Sequence, residues 1–377
     1  MDTSRARAVL RRCALVALGG LVLLETVPRV VDLPRLNMGA LNPPYLDSDE
    51  ALAFEPHANL VLVPKAGYEN VNDQGKRVAH DGDGFRGAGL VRPKPAGTFR
   101  IACLGGSSTY GTGPSSNEAT WPSVLERRLE EVLLGREVEV LNAGVPTWTT
   151  TESLIGLQLR VLPHEPDLVL VYQGMNDASA ALWPDPRPDG SHFRSVWPVL
   201  RKSPLEPLLE RSVTYLTWRR YFTDHLQQRL DGNYRAIRNY DPDYVDPYGE
   251  GPLPDVGFDT FQRNLESLVA VARGHGAEVV FVTQAVWSDD PDSDDFWSGR
   301  NRFRALRRLE ARLRGVAGSL DVPVVDAAPV LLEAHRAGIE RGQPVIFADD
   351  VHLTDSGAAL LGETVARELL ERGLVPR

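Results

Sequence analysis

Apolar runs of four to six residues alternate with segments of helical period through most of the chain after residue 98. Phe99-Arg-Ile-Ala-Cys-Leu104 ends in glycines and reads as a buried strand. Leu168-Val-Leu-Val-Tyr172 is apolar on both faces, as central strands of parallel sheets are. Val138–Leu141, Glu278–Thr283 and Val322–Val325 supply three more strands. Between them, Trp121, Val124, Leu125, Leu129, Val132 and Leu133 recur at helical spacing before Gly135. Residues 152–162 read as a second helix. A third opens at Asp259, with Gln262 three residues on as a capping-box-like start. It carries Phe261, Leu265, Leu268 and Ala272 on one face and closes at Gly274-His-Gly276. Residues 300–316 put Phe303, Leu306, Leu309, Leu313 and Val316 inward, and 355–372 form a last helix before Gly373. Such alternation predicts an α/β fold, with helices on both faces of a parallel sheet.

Two stretches stand outside this pattern. Residues 32–98 are rich in Pro, Asn, Gly and Asp and lack a helical period. They are expected to form an extension with a few short strands, one at Leu60–Val63. Residues 183–258 hold 12 of the 28 aromatic residues in 76 positions. Disordered linkers are poor in aromatics, so a folded insertion is expected, partly helical around 204–230. A lid, a partner surface and a membrane-facing piece remain open as its role. The catalytic domain is expected to span 99–377.

The N-terminus sets an expectation about location. Four arginines (Arg5, Arg7, Arg11, Arg12) face one acid, Asp2, ahead of the apolar run Cys13–Leu24. A basic segment before an apolar core is the pattern of a secretory signal or signal anchor. No Ala-x-Ala cleavage site and no lipobox precede the body of the chain, which favours an uncleaved anchor over residues 1–31. A cleaved signal with secretion is the alternative, and a buried helix of a cytosolic protein the bland one. Arginines ahead of the run keep the N-terminus cytoplasmic and place the rest outside. The net charge of −10 argues against a nucleic-acid partner. Two cysteines, Cys13 and Cys103, leave no disulfide framework and no cysteine-based zinc site.

Four short segments sit where chemistry is expected. Gly105-Gly-Ser-Ser-Thr-Tyr-Gly111, Asn142-Ala-Gly144 and Gly174-Met-Asn-Asp177 each follow a strand. Asp349-Asp-Val-His352 precedes the last helix. In open parallel sheets the ligand crevice lies beyond the carboxyl ends of the strands. Singly each segment is an ordinary turn or loop; their joint placement is the signal. A serine hydroxyl needs a base within reach to act as a nucleophile. His352 is the candidate base, and Asp349 can orient its imidazole. The Ser107 N–H, the Gly144 N–H and the Asn176 side-chain amide are candidate donors to a developing oxyanion.

The four segments resemble the blocks of the SGNH (GDSL-type) hydrolase family over roughly residues 98–182 and 259–372. Gly105, Ser107, Thr109 and Gly111 match the first block, Gly144 the second, Gly174, Asn176 and Asp177 the third, and Asp349 with His352 the fifth. The resemblance implies a flavodoxin-like three-layer α/β/α sandwich. It implies Ser107 as nucleophile, His352 and Asp349 as base and orienter, Ser107, Gly144 and Asn176 as the oxyanion hole, and no metal or other cofactor. Spacing to Thr109 and Gly111 favours Ser107 over its neighbour Ser108. One departure is plain: Gly106 stands where the family's motif carries an acid. The expected activity is hydrolysis of an O-acyl ester of an extracytoplasmic glycan or lipid. An O-acyltransferase on the same serine and a non-catalytic binding module on the same fold are the alternatives. A phosphate-binding loop is excluded, because no lysine follows the glycines.

Overall fold

A computed structural model describes residues 53–57, 59–71, 75–133, 135, 137–183, 186–194, 248–294, 299–343 and 345–376, with scattered positions between 11 and 26 and at 212, 214 and 215. The chain divides into two compact units, one of residues 1–52 with 198–243, the other of residues 53–197 with 244–377. In the first unit the described positions from Arg11 to Thr26 are helical, and Leu15, Val16, Leu18, Val22 and Leu23 are exposed. No helix among the described residues is long and apolar enough to cross a membrane. Residues 32–52 of the expected extension, and nearly all of the expected helical stretch 204–230, lie outside the described residues.

The second unit is built on five parallel strands: β5 (Phe99–Gly105), β6 (Val138–Gly144), β7 (Leu168–Tyr172), β8 (Glu278–Val282) and β9 (Val324–Val325). Two antiparallel hairpins precede them, β1 (Phe54–His57) with β2 (Val61–Pro64), and β3 (Glu69–Val71) with β4 (Arg77–Ala79). The sheet order is β6-β5-β7-β8-β9, the flavodoxin-like arrangement 2-1-3-4-5. Register aligns Gly105 with Gly144 and with Tyr172, so three strand ends finish side by side.

The strands are apolar on both faces because helices cover both. Ile101, Cys103, Leu168, Leu170, Tyr172, Val280, Val282 and Val325 join one core with α2 (Trp121–Val132), α8 (Ala327–Arg341) and α9 (Asp355–Glu371). The alternate residues Ala102, Leu104, Val169, Val171, Val279 and Phe281 are also buried. Strand side chains alternate between faces, so these meet the second layer. That layer holds α3 (Thr150–Gly156), α4 (Met175–Leu182), α6 (Asp255–Gly274) and α7 (Arg300–Leu320). Two short helices complete the set, α1 (Ser107–Tyr110) and α5 (Ser191–Arg194).

Local boundaries differ from the sequence expectation in informative ways. The helix expected from Asp259 begins a turn earlier, at Asp255, with Pro254 as its cap. Asp259 and Gln262 do not cap it; they accept hydrogen bonds from Arg312 of α7, at 2.8 and 2.6 Å. A reciprocal capping box does form at Thr149 and Glu152, where the Glu152 carboxylate accepts the Thr149 N–H at 2.9 Å. Phe303 and Leu306 are only partly buried, because with Phe261 and Gln284 they line a cleft of about 170 Å³ beyond β8.

Candidate active site

Ser107 is the first residue of α1, immediately past the end of β5 and Gly106. The α1 turn lies against β6. A Cβ on Gly144 would fall 2.2 Å from the Tyr110 nitrogen and 2.6 Å from the Thr109 carbonyl carbon, so only a glycine allows the turn to seat there. Across the crevice, Asp349 and His352 lie on the loop leading into α9. That loop is closed on itself: the Ala348 N–H donates to the His352 carbonyl at 2.8 Å, and Phe347 bridges Leu353. The Trp287 N–H donates to the Asp350 carbonyl at 2.8 Å and ties the loop to the segment after β8.

Three side chains form a continuous hydrogen-bonded chain. His352 Nε2 lies 2.8 Å from Ser107 Oγ, and His352 Nδ1 lies 2.6 Å from Asp349 Oδ2. With Nδ1–H donating to the Asp349 carboxylate, Nε2 is left to accept the Ser107 hydroxyl proton. The other Asp349 oxygen accepts the backbone N–H groups of Val351 at 2.9 Å and His352 at 2.7 Å. Burial opposes ionisation of Asp349. The His352 hydrogen bond and charge, followed by those two N–H groups, outweigh it and hold the carboxyl below its ordinary value. Ser108 is committed elsewhere, since its hydroxyl donates to the Val351 carbonyl at 3.0 Å.

The three expected oxyanion donors are placed differently from one another. The Ser107 N–H, at the start of α1, has no hydrogen bond within the described residues. Asn176 is the second residue of α4, and its Nδ2 donates to the Trp148 carbonyl at 2.9 Å. The Gly144 N–H donates to Asn142 Oδ1 at 3.1 Å. Behind Asn176, the Asp177 carboxyl is buried and accepts the Thr150 hydroxyl at 2.6 Å and the Thr150 N–H at 3.0 Å. Burial pushes Asp177 up to about 7, against the lowering effect of those bonds. Cys103 is fully buried in the sheet, and burial raises its thiol well above the ordinary range. Among the described residues no group of three or more His, Cys, Asp or Glu is placed to hold a metal ion.

Several residues that hold the site carried no sequence signal. Arg86 and His80, in the extension, reach the far end of α1. The Trp148 carbonyl receives Asn176. Gln284 Oε1 accepts the Met175 N–H at 2.7 Å, and so fixes the first turn of α4. Only an alignment of relatives or the fold itself brings such distant positions together.

A sequence model of the GDSL-like Lipase/Acylhydrolase family matches residues 103–360, a span that contains all four site segments. The chain belongs to this family and is a serine ester hydrolase. No curated protein matches the sequence. Among solved structures it is similar to the lipase/acylhydrolase from Enterococcus faecalis, at 19% identity and a TM-score of 0.43, covering 73% of this chain and 96% of that one. It is also similar to an acetyl xylan esterase, at 13% identity and a TM-score of 0.43, covering 72% and 100%. A third likeness is to a catalytic mutant of an acetylxylan esterase from Geobacillus stearothermophilus, at 14% identity and a TM-score of 0.42, covering 72% and 94%.

Proposed function

We propose that the chain removes O-acyl groups, acetyl among them, from an extracytoplasmic glycan or lipid through a Ser107 acyl-enzyme. The observation that carries this reading is the 2.8 and 2.6 Å hydrogen-bond chain from Ser107 through His352 to Asp349. His352 takes the Ser107 proton as Oγ bonds to the acyl carbon, and the ester carbonyl becomes an oxyanion. The free Ser107 N–H meets that oxyanion. Asn176 Nδ2 carries two protons; Trp148 holds one, which leaves the second for the oxyanion. The Gly144 N–H joins only if Asn142 releases it. His352 then protonates the departing alcohol, and water repeats the sequence on the acyl-enzyme. Asp349, kept ionised by its hydrogen bonds, stabilises the imidazolium throughout.

The same reading places the enzyme on the membrane by its N-terminal segment, with the catalytic unit outside the cytoplasm. The arginines ahead of Cys13–Leu24 and the exposed Leu15, Val16, Leu18, Val22 and Leu23 support it. An enzyme held there meets envelope glycans and lipids.

The test is turnover of short and long p-nitrophenyl acyl esters by the full chain, with and without a sugar acceptor. Ser107→Ala is expected to abolish turnover, a loss of several orders of magnitude, since members of such a triad act as a unit. Ser108→Ala is expected to retain most activity. The reverse pattern would make Ser108 the nucleophile, and product formation only with the sugar present would make the chain a transferase.

A further inference from the structure

The turn that carries Ser107 is only four residues long. A single helical turn does not repay its own nucleation cost, so its position depends on what grips it. The last carbonyls of a helix have no partner within it. Here the carbonyls of Tyr110 and Gly111 are covered by one guanidinium, that of Arg86, whose Nη1 donates to them at 3.2 and 2.5 Å. Arg86 is 3% exposed. It is itself fixed on three further sides. Nε donates to Asn117 Oδ1 at 3.0 Å, Nη2 to the Ser116 carbonyl at 3.3 Å, and the guanidinium carbon stands 5.0 Å over the Tyr110 ring. Asn117 in turn pairs both ways with Ala79 of β4, at 2.8 and 3.3 Å.

A second contact lies beside the first. His80 Nδ1 donates to the Lys65 carbonyl at 2.9 Å, which leaves Nε2 to accept the Tyr110 hydroxyl proton at 2.8 Å. Lys76 Nζ donates to the Thr112 carbonyl as well. All of these gripping residues lie between 65 and 86, before the 103–360 span that matches the family. The grip reaches Ser107 directly. The Gly111 N–H donates to the Ser107 carbonyl at 2.8 Å, so the residue whose carbonyl Arg86 holds also holds Ser107.

We propose that Arg86, presented by the β3–β4 extension, is a positioning residue for the nucleophile: it fixes the C-terminal end of α1 so that Ser107 Oγ stays in line with His352. The proposal rests on the esterase reading above. Loss of the guanidinium strands the buried Gly111 carbonyl, leaves the Tyr110 carbonyl with only the Asn142 amide at 3.2 Å, and loosens the turn. A displacement of about 1 Å at a reacting group costs on the order of 100-fold in rate. Lysine keeps the charge and loses the fork that spans several acceptors.

The test measures kcat and KM of the full chain on p-nitrophenyl acetate. Reactive sites are counted by complete labelling with a fluorophosphonate, and thermal melting is followed in parallel. Arg86→Ala is expected to lose about 100-fold in kcat per labelled site and Arg86→Lys about 10-fold, with KM within about threefold of wild type. A purely structural arginine would instead lower the melting temperature and the number of labelled sites, with kcat per labelled site unchanged. That result overturns the proposal. If Arg86→Ala does not fold, Arg86→Lys and Tyr110→Phe decide. Each is expected to lose about 10-fold per site, and wild-type values in both overturn the proposal. A wild-type chain that neither turns over ester nor takes the label rejects the esterase reading and this proposal together. An active wild type beside unaffected variants rejects this proposal alone.

Discussion

A Cβ on Gly106 would fall 2.6 Å from Asn176 Nδ2, closer than real Cβ contacts come. The Asn176 amide therefore occupies the space that the side chain of the family's usual acid would enter. The Trp148 carbonyl, 3.7 Å from the same Cβ position, accepts from the amide at 2.9 Å and holds it beside the turn that carries Ser107. Gly106→Ala is expected to push the amide off and lower kcat about 100-fold, the cost of a misplaced group. Asn176→Ala, which deletes the donor, is expected to cost about 100- to 1,000-fold. Melting temperatures should change little in either, and a wild-type kcat in Gly106→Ala would show that the amide is not needed where it sits. At this scale the sequence offered candidates and was silent about contact. Ser107, Asn176, Asp349 and His352 could be picked out because each sits in a short motif at a strand or helix end. That Gly106 and Asn176 compete for one volume depends on packing between residues 70 positions apart, which no local pattern encodes.

Elements were legible wherever an apolar period ran long enough. The helices α2, α6, α7 and α9 and all five parallel strands showed one. The stretch read as a second helix contains α3, and the four-residue α5 has no period; α1, α4 and α8 were not legible either. The four residues of α1 are too few for a period. The first turn of α4 holds Asn176-Asp177, which reads as a turn, and α8 carries Pro329 in its first turn, where proline is tolerated. The charged face of α7 was also opaque. Arg304, Arg308 and Arg312 recur every four residues, and the helical period alone assigns them no partner. In the fold Arg304 donates to the Gly251 carbonyl at 2.7 Å, Arg308 to the Leu253 carbonyl at 3.1 Å and Arg312 to Gln262 at 2.6 Å, fastening α7 to α6 and to the segment that enters it. His80, directly after β4, carries a pH signature. Burial, with Arg86 and Arg160 adding to it, pushes His80 down from 6.5 to about 4, against the opposing Lys65 carbonyl. Between those values the unfolded chain binds the extra proton. The stability His80 contributes is therefore whole above 6.5 and lost as pH falls toward 4. Asp177 acts in the opposite sense, because its raised pKa favours the folded state at low pH. Comparison of slopes isolates His80: from pH 6.5 to 4 the melting temperature of His80→Gln is expected to fall less steeply than that of wild type. Parallel curves would mean that His80 does not titrate differently on folding.

For the whole molecule, the alternation of strands and helices was enough to imply a parallel sheet, and the matched blocks implied its order. The neighbouring ends of β5, β6 and β7 then follow from that order, since the site forms where the chain turns from one side of β5 to the other. The extension was less legible, because its hairpins are three and four residues long and lack a run of alternating residues. Charge is the remaining feature at this scale. Four arginines and one aspartate stand in the first twelve residues, so a chain of net −10 carries its positive excess at one end and about −13 over the rest. The topology proposed above applies the positive-inside rule to this asymmetry, with that end in the cytoplasm and the acidic remainder outside. A reporter enzyme that works only outside the cytoplasm, fused after Arg377, is therefore expected to be active. The fusion should stay with membranes through a high-salt wash, because an apolar helix, unlike an ionic contact, is not displaced by screening. Detergent should release it at full length. Release of a shortened soluble form would make residues 1–31 a cleaved signal, and an inactive reporter on a stable full-length fusion would overturn both the topology and the assignment of an extracytoplasmic ester as substrate.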